Sequence, residues 1–140
     1  MTKSLKISQN KKGNTGWMVE DWDMRGTWFY QEVKIISCGK KQMILQDNIS
    51  DITLGYQFKP DLPLYISEEI AKEKALKAAN DFIENEIHWL EIRIKDHQYD
   101  ESAYKKELER QLNYFNDLKG KGRTIKYQTT RIIYTTKNKI

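Results

Sequence analysis

Lys119, Lys121, Arg123, Lys126 and Arg131 cluster around two glycines, in and just after the run Lys119-Gly120-Lys121-Gly122-Arg123. Cationic side chains hold phosphate oxygens, and glycine lets a backbone come close to them. The five residues are therefore one candidate nucleic-acid contact. The order strand, glycine loop, lysine-serine, helix that defines a phosphate loop is absent. Glycine after a helix also has an ordinary explanation as the helix stop, which is the stronger reading of Gly120.

Aromatics form the second set. Trp17, Trp22, Trp28, Phe29 and Tyr30 lie close together, with three tryptophans in twelve positions. Exposed on a sheet, such rings stack nucleobases. Glu20, Asp21 and Asp23 lie among them and repel a phosphate backbone. A protein partner fits better, because Trp and Tyr are preferred anchors there. Trp22, Trp28 and Tyr30 are the expected contacts from this segment, and Trp89, Tyr99 and Tyr104 from the helical one. Trp89 falls off the apolar stripe of its helix, so it is either exposed or held by a partner.

Catalytic chemistry finds little to work with. Glu84, His88 and Glu91 share a helix face, but the ligand count is short for a metal. Cys38 stands beside Gly39, Lys40 and Lys41, and lysines lower a thiol pKa. A nucleophile also needs a base, and the two histidines, His88 and His97, both lie in the distant helical segment. Asp21, Asp23 and Glu20 are carboxylates whose spacing alone is weak support for acid–base work. The expectation is no catalytic residue, no metal and no cofactor. A deep polar pocket around Asp21, Asp23 or Cys38 would reopen the enzyme reading.

The elements that must position these residues are legible as patterns. Residues 17–58 are rich in β-branched and aromatic types and read as strands. Phe29, Gln31, Val33 and Ile35 share one face; Tyr30, Glu32, Lys34 and Ile36 share the other. A turn is expected near Met24–Thr27, and a tight hairpin at Ser37–Lys40 with Gly39 at positive φ. Asp47-Asn48 and Ser50-Asp51 mark a loop, and Ile52–Phe58 a further strand. Ser67 before Glu68 and Glu69 caps a helix from about 68 to 97, with the stripe Ala75, Ala79, Phe82, Ile83, Ile87, Leu90 and Ile94. Asp100 caps a second helix from about 101 to 118, with Tyr104, Leu108, Leu112, Phe115 and Leu118. The short link folds the helices antiparallel, pairing Leu90 with Leu108 and Ile83 with Phe115. Residues 123–136 read as a returning strand. The fold class is α+β: an antiparallel sheet of N-terminal strands plus a C-terminal strand, carrying a helical hairpin that packs on one face and projects.

The 140 residues suit one domain. A hydrophobic share of 39% and a charged share of 31% indicate a modest core and a wet surface. No apolar run reaches membrane-spanning length, and residues 1–16 hold lysines without an apolar core, so neither a membrane segment nor a signal peptide is expected. One cysteine permits no internal disulfide, which fits a cytoplasmic setting. Abundant Lys, Ile and Asn are the habit of AT-rich coding sequence, as in bacteria and their phages. Net charge is +3 over residues 1–60, −6 over 61–118 and +7 over 119–140. That split either steers a charged partner or cancels locally between neighbours. The expected function is a non-catalytic protein-binding module, such as a small phage or mobile-element inhibitor or accessory protein acting on a host protein. Self-association as a homodimer is a variant of it. Nucleic-acid binding is the alternative, and an uncharacterised enzyme the third.

Overall fold

The computed structural model describes residues 6–7, 9–47, 58–99 and 102–127. Strands β1 (Thr15–Asp21), β2 (Thr27–Cys38) and β3 (Met43–Asp47) are followed by helices α1 (Glu68–Asp96) and α2 (Ala103–Leu118) and strand β4 (Arg123–Lys126). All four strands belong to one sheet, with β2 between β1 and β3 and with β4 also pairing β2. The fold is α+β, as the patterns predict.

β1 and β2 are antiparallel. The Trp22 N–H donates to the Thr27 carbonyl near the turn, and the Ile35 N–H donates to the Asn14 carbonyl at the far end. β2 and β3 are antiparallel as well, with Val33 opposite Asp47 and Cys38 opposite Met43. The ladder skips a residue between Ile35 and Ser37, so Ile36 is the extra residue of a bulge. The C-terminal strand joins the sheet as expected. Its bonds run from the Arg123 N–H to the Gly26 carbonyl and from the Tyr127 N–H to the Tyr30 carbonyl. Both strands therefore advance together, and β4 runs in the direction of β2. Such a pairing needs a crossover of a dozen residues or more, and the two helices supply it.

The chain forms two compact units, each drawn from several stretches. The first takes the described residues of Met1–Glu20, Phe29–Ala75 and Ile125–Ile140. Its core is Met18, Phe29, Val33, Ile35, Met43, Leu45, Phe58 and Leu64. Phe29, Gln31, Val33 and Ile35 are buried along one face of β2, as the alternation predicts. Ala71 and Ala75 are fully buried in this unit, which is where small side chains are needed. Asn10 clips the segment before α1, its amide donating to the carbonyls of Pro60 at 2.9 Å and Leu62 at 2.8 Å.

The second unit takes Asp21–Trp28 and the described residues of Leu76–Thr124. Ile83, Ile87 and Leu90 of α1 and Leu108 and Phe115 of α2 make its core, with Ile94, Leu112 and Leu118 packed around them. All of these residues belong to the two stripes read from the sequence, but Tyr104, placed in the second stripe, is 51% exposed and lies outside this core.

The caps follow in part. The Ser67 hydroxyl accepts the Ile70 N–H, as expected. The second helix is capped by Ser102, whose hydroxyl accepts the Lys105 N–H, and it starts at Ala103. Asp100 lies outside the described residues. Gly39 does not take positive φ, which corrects the tight-hairpin expectation. The loop between Cys38 and Met43 has four residues, closed by the Gly39 N–H on the Gln42 carbonyl. Loops of that length do not need the left-handed backbone that two-residue hairpins demand. Asp47, expected in a loop, ends β3 and is 1% exposed. The strand expected at Ile52–Phe58 lies outside the described residues except for Phe58, which bridges Met43. The returning strand is described as far as Tyr127.

Candidate functional site

The β1–β2 turn in the second unit is held by two carboxylates. Asp21 Oδ1 accepts the Met24 N–H at 2.7 Å; Asp23 Oδ1 accepts the Arg25 N–H at 2.9 Å and the Thr27 N–H at 3.1 Å. These are turn-closing bonds of the kind short acidic side chains make. Asp21 and Asp23 are thus engaged with backbone N–H groups of the turn. The turn places Met24 at φ +56, in the left-handed region, and leaves it 75% exposed.

Beside the turn lies a groove of about 430 Å³, lined by Met24, Arg25, Glu86, Glu107, Arg110, Gln111, Tyr114 and Phe115. The Arg25 guanidinium stands 5.4 Å from the centre of the Tyr114 ring. Arg110 grips Glu107 through two bonds of 2.9 and 2.7 Å, and the Gln111 amide adds a third at 3.2 Å. Those bonds, Arg110 first and Gln111 next, hold the Glu107 carboxyl below the usual carboxylate range. None of the groove residues belongs to the contact sets read from the sequence. The signals were present as Glu and Arg three apart on a helix and as an Asp-rich turn, but neither says that the two meet.

The aromatic contacts read from the sequence divide. Trp22, Trp89, Tyr99 and Tyr104 are 43%, 50%, 92% and 51% exposed, and all lie in the second unit. His88 meets the Trp89 ring edge to face, and His97 the Tyr104 ring. Trp28 is half-buried, and its indole N–H is buried with no hydrogen-bond partner among the described residues. Tyr30 is only 6% exposed and packs on Trp17 in the first unit, so it offers no contact area. Burial, with Glu68 nearby, pushes its phenol up, and Lys126 works against the shift. Both faces of β2 are covered at this point, which the alternation along the strand does not reveal.

The basic residues divide too. Lys119, Lys121 and Arg123 are exposed in the second unit and make no ion pair among the described residues. Lys126, in the first unit, pairs with Glu68 at 2.7 Å and lies over the Trp17 ring. Its charge is met by a helix acid, as the local-cancellation reading has it. Arg131 lies outside the described residues. The glycines of the loop have structural roles. Gly120 takes φ +74 and follows the helix end. A Cβ on Gly122 would meet the Ala79 Cβ at 2.8 Å, and its N–H donates to Asn80 Oδ1 at 2.7 Å. That N–H is consumed within the fold and is not offered to a phosphate.

Among the described residues no group of three or more His, Cys, Asp or Glu is placed to hold a metal ion. Cys38 is a free, half-buried thiol at the end of β2, packed against the first unit's core. No described helix is long and apolar enough to cross a membrane. Comparison with protein-family models, curated proteins and solved structures found no match to this chain.

Proposed function

We propose that this chain is a non-catalytic protein-binding module whose contacts lie on the second unit. One observation carries the reading. Of the exposed large apolar side chains among the described residues, Trp22, Met24, Leu76, Trp89, Ile92, Tyr99 and Tyr104 lie in that unit, and Ile66 lies in the other. Trp89 and Ile92 sit three apart on α1, on the side away from Ile83, Ile87 and Leu90, so they lie outside the unit's own core. Tryptophan and tyrosine are the side chains that most often anchor protein interfaces. A small inhibitor or accessory protein, of the kind a phage or mobile element directs at a host protein, has this character; a homodimer would use the same surface.

Affinity capture from an extract of the source cells, treated with nuclease, tests the reading. The comparison is between the natural chain and a Trp89→Ala, Tyr104→Ala double variant whose circular dichroism is unchanged. A single stoichiometric protein retained by the first and lost by the second is the expected result. Equal recovery by both, or recovery of nuclease-sensitive material alone, overturns it. A second reading draws on the exposed cations Lys119, Lys121 and Arg123, which make no ion pair among the described residues and could meet nucleic-acid phosphates. It requires retention that falls steeply as salt rises. Absence of binding at low salt removes it.

A further inference from the structure

The groove beside the β1–β2 turn holds two charges that no ion pair among the described residues matches. Arg25 is exposed and makes no ion pair among the described residues; its guanidinium rests on the Tyr114 ring at 5.4 Å. A ring face orients a guanidinium without neutralising it, so the charge stays available to a ligand. Glu86, half-buried on α1, also makes no ion pair among the described residues. The other two charges of the lining, Glu107 and Arg110, satisfy each other. The groove thus offers one cation and one anion, with Met24, Tyr114 and Phe115 as apolar walls.

The cationic side is held in advance. Asp21 and Asp23 fix the backbone N–H groups of Met24 and Arg25, and Met24 keeps a left-handed φ of +56 although it is 75% exposed. A non-glycine residue persists in that conformation only where its surroundings over-determine it, and such strain gathers at ligand sites. Burial of the Met24 side chain is not what compensates it here.

We propose that this groove is a peptide-recognition site, and that it takes a short partner segment carrying one acidic and one basic side chain. The acid meets Arg25 and the base meets Glu86. This rests on the protein-binding reading above and adds a charge-selective contact on the same unit. A lone anion would be repelled by Glu86 and a lone cation by Arg25, whereas a segment with both charges satisfies the two together. A volume of about 430 Å³ lies within the usual range of small-ligand sites, roughly 300–1,000 Å³.

The test is nitrogen-15 NMR titration of the full chain with capped hexapeptides. One bears an acid and a base, one two acids and one two bases; free alanine is the fourth probe. The mixed-charge peptide is expected to move the Arg25 Nε–H and Gln111 side-chain amide signals saturably, at least tenfold more tightly than the other probes. Arg25→Gln and Glu86→Gln should each weaken it at least tenfold, while Lys77→Ala, outside the groove lining, should leave it unchanged. No saturable shift with any peptide, equal shifts from all three, or alanine matching the mixed peptide overturns the proposal. The Trp89 and Tyr104 capture experiment does not depend on Arg25 or Glu86. A silent groove with intact capture therefore removes this inference alone, and a peptide-binding groove with failed capture removes the module reading.

Discussion

Gln31 and Asp47 meet inside the sheet, the amide Nε2 donating to the carboxylate at 2.9 Å with both residues almost wholly buried. A buried polar group is costly when its partner is removed and inexpensive while a partner remains. Asp47→Asn, which keeps an acceptor, should change stability by less than about 1 kcal/mol, whereas Asp47→Ala should lose about 1–3 kcal/mol in urea denaturation. Two glycines of the basic loop allow a matched comparison. A Cβ at Gly122 collides with Ala79 and the Asn80 backbone, while one at Gly120 meets nothing within 4 Å and suffers only from φ +74. Gly120→Ala should cost about 1–2 kcal/mol from the left-handed backbone. Gly122→Ala should cost at least as much, about 1–3 kcal/mol from overpacking. Tyr30 supplies a pH dependence. Burial raises its phenol, with Glu68 adding and Lys126 opposing. An acid whose folded pKa exceeds its unfolded value of about 10 contributes fully below that pH and loses its contribution as pH rises toward the folded value. The natural chain should therefore weaken above about pH 10, and Tyr30→Phe should lessen that alkaline loss in denaturation midpoints measured at several pH values.

At the level of elements, both helices begin on a serine that accepts the N–H three residues on. Ser67→Ala and Ser102→Ala should each cost about 1 kcal/mol and speed amide exchange in the first turn of the helix concerned. The helices were the most legible part of the chain, because a stripe such as Ile83, Ile87, Leu90 and Ile94 repeats every turn and a cap stands at its head. Gly39 and Asp47 were misread for local reasons. Glycine near a strand end suggests a tight turn, but the bulge at Ile36 and a four-residue loop remove the need for positive φ. An aspartate before an asparagine suggests a loop, and nothing in its own neighbourhood announces Gln31 sixteen residues earlier. The groove was illegible for a related reason. Arg25 meets Tyr114 across nearly ninety positions, and no periodicity links a turn to a distant helix face.

For the molecule as a whole, the two units share covalent elements: β2 and α1 each contribute residues to both. Leu45→Ala in one core and Leu90→Ala in the other should each cost about 2–5 kcal/mol and lower one common unfolding midpoint. Two resolved transitions in calorimetry would show instead that the units melt separately. The direction of β4 has a consequence for how the chain is made. A meander of three strands can assemble as it leaves the ribosome, since each pairs with its neighbour in sequence. The margin of β2 that β4 will occupy stays bare until residue 123 emerges, after the whole crossover has been synthesised. Unpaired strand margins invite pairing between chains, and late-forming parallel contacts prolong that exposure. A nascent chain stalled within α2 is thus the species that a chaperone would need to shield.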